Sequence, residues 1–166
     1  MLATTPLLLI LCTGNVCRSP MCEALIMHRL LERGLDAQVI SRGLAAPVGA
    51  RPHAHALALA EENGTPISPD KRARQVTRPE MDAATAVFVM DQGHRREVLR
   101  RYPTASGKTF LLSEWQGCEI ADPINQPRKV FETTWKAIEQ GTDSWLTHLT
   151  AAGLLREKPI LKPTTR

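Results

Sequence analysis

Cys12 and Arg18 bracket the stretch Cys-Thr-Gly-Asn-Val-Cys-Arg, followed at once by Ser19 and Pro20. A thiol, a guanidinium and a hydroxyl set this close suit one chemistry: attack by sulfur on an electrophile that carries negative charge. Gly14 and Asn15 are residue types that tolerate left-handed backbone. Thr13 through Arg18 can therefore wrap a tight loop with its N–H groups turned inward. A ring of N–H groups at a helix N-terminus is an anion site of phosphate size. Thr13, Gly14, Asn15, Val16 and Cys17 would form it, and the planar fork of Arg18 can grip two phosphate oxygens at once. The same field favours the thiolate form of Cys12, and Ser19 is placed to donate a hydrogen bond to that sulfur. The combination is a nucleophile under an oxyanion cradle, suited to attack on phosphorus. A bare Cys-x5-Arg is common by chance, and such a cysteine is most often a buried strand residue. Gly14, Asn15, Ser19 and Pro20 are what tip the balance toward a site.

Such a loop needs a strand before it and a helix after it, and the flanking residues supply both. Pro6 to Leu11 is continuously apolar, as a strand buried on both faces should be. After Pro20, Met21, Leu25, Met27, His28 and Leu31 fall at roughly helical spacing, and Gly34 marks a stop. Further along, strands are expected at Ala37–Ser41, Thr85–Met90 and Thr109–Leu112. Helices are expected at Pro52–Glu62, Asp91–Arg101 and Arg128–Ala151, with a short helical turn at Pro79–Ala83. Ser113 to Pro127 reads as a polar loop. Strands alternating with helices predict one three-layer α/β domain over residues 1–152, with a small, about four-stranded parallel sheet and helices on both faces. Residues 153–166 read as a frayed C-terminal tail. In such open sheets ligands bind beyond the carboxyl ends of the strands, where the Cys12 loop falls. There is no internal repeat and no low-complexity segment.

The chain has 166 residues, with Lys and Arg exceeding Asp and Glu by 21 to 17. This mild excess is compatible with an anionic substrate. The basic residues are dispersed and no aromatics interleave with them, which argues against nucleic-acid binding. Pro6 to Cys12 could pass for a lipoprotein signal, but no Lys or Arg precedes it and Leu11 is bulky where cleavage wants a small residue. No stretch is long enough to span a bilayer. The reading is a cytoplasmic protein with free thiols. The spacing of Cys12, Cys17 and Cys22 fits no usual zinc pattern. Cys22 and Cys118 read as structural, and His53, His55, His94 and His148 as surface or cap residues.

"CTGNVCRSPMCEAL" closely resembles the phosphate-binding loop of the low-molecular-weight protein tyrosine phosphatases. "SRG" at Ser41, "RARQVT" at Arg72, "VFVMD" at Val87, "LLSEW" at Leu111 and "IADP" at Ile120 follow in that family's order. The resemblance extends to about Thr150. It implies a phosphatase that hydrolyses aryl phosphates through a phosphocysteine, with no metal or other cofactor. Expelling a phenolate, whose conjugate acid has a pKa near 10, is slow without a general acid. The resemblance assigns that role to Asp122, in a stretch stiffened by Pro123 and Pro127; on its own, Asp-Pro is only a turn signal. It also implies that Ser41 contacts Asn15, and that Cys17 can form a protective disulfide with Cys12.

The chain departs from the family at several points. Ile124 and Asn125 stand where an aromatic is common after Asp-Pro. The loop after the second strand, "LAAPVGARPH", has no aromatic either, so Leu44, Pro47, Val48 and Ile124 are the expected aliphatic substrate wall. That loop resembles bacterial members acting on autophosphorylated tyrosine kinases of polysaccharide export, which sets the expected partner; a monomer or weak dimer is expected. Lys71 occupies the place of a bracing histidine and reads as a solvated residue. Three alternatives stay open at this level: a thiol-dependent arsenate reductase, for which Cys118 is the only downstream redox candidate; a catalytically weak phosphate- or phosphoprotein-binding module; and a lipoprotein anchored at Cys12.

Overall fold

The computed structural model describes residues 4–159. Its centre is β1 (Leu7–Cys12), whose uninterrupted apolar run is explained by burial on both sides. Leu8, Ile10 and Cys12 point into one core, and Leu9 and Leu11 into the other. β3 (Gln38–Gly43) lies parallel to β1 on one side, with Cys12 registered opposite Gly43. On the other side come β4 (Ala86–Val89) and β5 (Thr109–Leu111), giving a four-stranded parallel sheet in the order β3-β1-β4-β5. β4 repeats the alternation, with Ala86 and Phe88 facing one core and Val87 and Val89 the other.

On the first face pack α1 (Arg18–Arg33), α2 (Ala54–Glu62) and α5 (Arg128–Ala151). The second face is covered by α3 (Arg78–Ala83) and α4 (Gln92–Arg101). The helix boundaries follow their local chemistry. α1 admits Pro20 because it lies in the first turn, where no intrahelical N–H is required. It ends at Gly34, whose φ of 62° returns its N–H to Leu30 and Leu31 carbonyls. Thr77 and Glu80 form a reciprocal capping box on α3, and Asp91 caps α4 by accepting from the His94 N–H at 2.8 Å. In α5 Phe131, Trp135, Ile138, Trp145 and Leu149 are buried along one face, while Val130 is half-buried.

The C-terminal boundary differs from the sequence reading. Leu155 is buried, and β6 (Arg156–Glu157) pairs antiparallel with β2 (Leu35–Asp36), while Lys158 N–H donates to the Gly34 carbonyl. Residues 153–158 are therefore part of the fold rather than frayed tail. Two-residue strands leave no alternation to read, which is why neither was expected. Residues 160–166 of the expected tail lie outside the described residues. Among the described residues no helix is long and apolar enough to cross a membrane.

Gly141, inside α5, packs directly against the backbone of Leu112, just after β5. A Cβ at this position would sit 2.5 Å from the Leu112 carbonyl oxygen. In an open helix Gly→Ala gains about 1 kcal/mol, but forcing a methyl against rigid backbone costs about 1–3 kcal/mol. Gly141→Ala should accordingly lower the thermal midpoint, at about 2–4 °C per kcal/mol lost. A raised midpoint in calorimetry would show that α5 can slide away from the sheet.

Candidate active site

Cys12 is the last residue of the central strand, and the chain turns through Thr13–Cys17 before α1 begins at Arg18. The turn depends on Asn15, which is fully buried with φ at 56°. This left-handed conformation is one that Asn tolerates better than most residues. It directs the Asn15 N–H back at Cys12 Sγ, 3.2 Å away. The N–H groups of Gly14, Val16 and Cys17 make no hydrogen bond to another group among the described residues. They remain available to an anion.

A polarised chain of hydrogen bonds reaches the sulfur from the opposite direction. The Asn15 side-chain amide can only donate from Nδ2, and it does so to Ser19 Oγ at 2.8 Å and Ser41 Oγ at 3.0 Å. Asn15 Oδ1 accepts from the Arg74 N–H at 3.0 Å. Ser19 Oγ lies 3.0 Å from Cys12 Sγ, a pair in which either atom can donate; toward a thiolate the hydroxyl is the only possible donor. Ser41 Oγ donates a hydrogen bond to the Glu23 carboxylate, which Lys71 Nζ meets at 3.0 Å while also donating to the Ser41 carbonyl at 3.1 Å. Lys71 is thus a largely buried brace and not the solvated residue its type suggested. Glu23, whose side chain is one-fifth exposed, was not anticipated, although it stands within the stretch Cys12–Leu25 that carries the family resemblance.

Arg18 is buried and held on three sides. Nη1 donates to the Ile120 carbonyl at 2.8 Å and lies 3.4 Å from Asp91 Oδ2, and Nη2 is 3.5 Å from Asp122 Oδ2. Its Nε is buried without a partner among the described residues. A buried charged donor left open is costly, and a bound oxyanion would satisfy it. Asp122 is partly exposed and accepts from the Ile124 N–H at 3.1 Å, a local turn that fixes its carboxyl at the rim. The Asp91 cap therefore has a second duty, which its position two residues past the end of β4 could have signalled.

These groups line a cavity of about 270 Å³ formed by Cys12, Thr13, Gly14, Val16, Cys17, Arg18, Pro47, Asp122 and Ile124. The expected aliphatic wall needs correction. Pro47 and Ile124 line the cavity, joined by Val16, but Leu44 is buried in the second core and Val48 is exposed without lining it. Leu44 points away because its backbone is tied to the loop: its N–H donates to the Cys12 carbonyl, and the Ala45 N–H to that of Thr13. Burial, then the nearby Asp122 carboxylate and Cys12, push the Cys17 thiol up to about 12 against the pull of Arg18. Cys17 is therefore a neutral thiol beside the nucleophile at neutral pH. Cys22 is buried among the helices, whereas Cys118 is exposed, contrary to a structural role by packing. His94 is buried rather than at the surface, with Nε2 2.9 Å from Thr13 Oγ1. His53 caps α2 and stacks on Phe131, His55 meets the edge of that ring, and His148 stacks on Trp115. Among the described residues no group of His, Cys, Asp and Glu is arranged to hold a metal ion.

The cavity thus brings a cysteine sulfur, unpartnered backbone N–H groups, a buried arginine and a rim carboxylate together at the carboxyl end of the central strand. Residues 7–155 match the family described as low molecular weight phosphotyrosine protein phosphatase, and the chain belongs to that family. It is 31% identical over 146 residues to the low molecular weight protein-tyrosine-phosphatase Wzb of Escherichia coli K12, covering 87% of this chain and 95% of the relative. The crystal structure of the Erwinia amylovora tyrosine phosphatase AmsI superposes with a TM-score of 0.80 at 33% identity, covering 88% of this chain and 94% of that one. The YwlE arginine phosphatase of Geobacillus stearothermophilus is as similar in shape, with a TM-score of 0.80 at 32% identity, covering 90% and 96%.

Lys71→Met leaves the Glu23 carboxylate without its cation. Because both groups retain some exposure, the loss should be about 2 kcal/mol, below that of a fully buried pair. It should be read as a lower urea midpoint at unchanged slope. An unchanged midpoint would remove Lys71 from the bracing of the loop.

Proposed function

We propose that the chain hydrolyses phosphotyrosine in proteins through a phosphocysteine formed on Cys12. The observation that carries this reading is the buried, unpartnered Arg18 Nε beside a cavity lined by Cys12, Gly14, Val16 and Cys17, the last three with N–H groups that make no other hydrogen bond among the described residues. Phosphate dianion entering the ring takes hydrogen bonds from these groups and draws Arg18 Nη2 away from Asp122. The freed carboxyl, protonated, then stands over the ester oxygen. As sulfur attacks phosphorus, Asp122 gives its proton to the departing phenol, and Ser19 donates to the sulfur throughout. In the second step a water attacks phosphorus, Asp122 accepts its proton, and the S–P bond breaks to release phosphate and the Cys12 thiolate, to which the Ser19 hydrogen bond makes departure easier. Charge on the transferring group is met by Arg18 and backbone N–H groups, so the cycle needs no metal.

The apolar side of the cavity, Val16, Pro47 and Ile124, suits the face of an aryl ring. The non-aromatic loop after β3 supports an autophosphorylated tyrosine kinase of polysaccharide export as the partner, met in the cytoplasm by a monomer or weak dimer. Under oxidation, Cys17 would condense with a sulfenic acid on Cys12, releasing water and forming a disulfide. A second reading, phosphoarginine in proteins, has support from the similarity to the YwlE arginine phosphatase. Against it, Asp122 is the only carboxylate among the described residues lining the cavity, leaving a guanidinium no further acceptor there.

Hydrolysis of p-nitrophenyl phosphate in excess EDTA should proceed in the wild type and vanish in Cys12→Ser. Asp122→Asn should lower kcat by about 10²–10⁴-fold, the usual share of a general acid, while leaving inorganic phosphate affinity within a few-fold. No turnover by the folded wild type would overturn the phosphatase reading, and equal losses of kcat and phosphate affinity would remove Asp122 as the acid. Preferential release of phosphate from a phosphoarginine protein over a phosphotyrosine protein would favour the second reading.

A further inference from the structure

His94 has no part in the scheme above, yet it is buried against the phosphate loop. The Met90 N–H faces its Nδ1 at 3.4 Å, and a backbone amide can only donate, so Nδ1 is the acceptor and the ring proton sits on Nε2. Nε2–H therefore donates to Thr13 Oγ1 at 2.9 Å. Thr13 lines the cavity directly after the nucleophile. With its oxygen engaged by His94, its hydroxyl proton is left to point at whatever the cavity holds. The other side of the histidine is fixed as well: its backbone N–H donates to Asp91 Oδ1 at 2.8 Å, and Asp91 Oδ2 is the oxygen that faces Arg18 Nη1. One residue thus touches both ends of the cradle, its first hydroxyl and the carboxylate that steadies its arginine.

Resting on the phosphatase reading, we propose that His94 is a positioning residue for phosphoryl transfer: neutral and donating from Nε2, it turns the Thr13 hydroxyl proton onto the bound phosphoryl group while keeping Asp91 against Arg18. Burial and the Arg18 charge hold the imidazole below its ordinary value of 6.5, opposed by Asp91, Asp122 and Glu119. The neutral form is therefore the working form at pH 7. Acidification adds a proton at Nδ1, which repels the Met90 N–H and turns toward Asp91 Oδ2 at 3.6 Å, in competition with Arg18. In the window below pH 6.5 the unfolded chain binds this proton more readily than the folded one, so acidification also removes stability.

The test is a double-variant cycle read with p-nitrophenyl phosphate from pH 5 to 8. His94→Leu and Thr13→Val should each lower kcat about five- to tenfold, the worth of one hydrogen bond, with KM within about twofold. The double variant should be no slower than His94→Leu alone. His94→Gln, whose side-chain amide can replace the Nε2 donor, should recover most of the rate and lose the acid-side fall in kcat that protonation of His94 causes. Losses that multiply in the double variant would overturn the proposal. So would a Gln variant as slow as the Leu variant, or the same acid limb in wild type and His94→Gln. Failure of the phosphatase reading would show separately, as a wild type without turnover.

Discussion

Everything at the carboxyl edge of the sheet depends on one backbone residue, Asn15, being held at positive φ in the interior. That conformation carries a steric cost for any residue with a side chain, and Asn15 recovers it by placing amide and carbonyl among four neighbours that need them. Its N–H turns to the sulfur, its Nδ2 to two serines, its Oδ1 to the Arg74 N–H. Removing any one of these would leave a buried polar group unmatched, so the loop is over-determined and does not merely happen to be closed. Rigidity here is functional. A ring of dipoles lowers a barrier only when it need not reorganise as charge moves through it.

The sheet supplies what the loop cannot supply for itself. β1 is central and buried on both faces, so its register is fixed by packing against two separate cores. The nucleophile inherits that fixed position as the last residue of the strand. Gly43, opposite Cys12 in the ladder, is where β3 passes the loop: a Cβ there would stand 2.7 Å from the Thr13 carbonyl. The residues after it, Leu44 and Ala45, then bond along the loop's outer side. Fold and site meet in these few hydrogen bonds.

Much of this was legible in the chain. The long apolar run, the helix stop at Gly34 and the alternation of strands with helices pointed to a parallel sheet covered on both faces, because these signals come from burial on a whole face; the strand order did not show. Cys12, Arg18 and Ser19 were legible because their types, their spacing and their setting between a strand and a helix rarely coincide by chance. What escaped were contacts between segments distant in sequence. Lys71 looks like surface until Glu23 is brought beside it; His94 looks like a helix residue until the Thr13 hydroxyl meets its ring. Leu44 and Val48 failed as wall residues for the related reason that a loop's composition does not say which side chains turn inward. The β2–β6 ribbon is too short to carry a period at all.

Arg18 lies between two carboxylates, Asp91 and Asp122. The cradle thus contains its own competing anion, and binding is an exchange in which an incoming group must displace the Asp122 carboxylate from Nη2. Such a built-in competitor sets a threshold. The charge of Arg18 is partly matched within the fold itself, so the site presents less free positive charge than its guanidinium alone would.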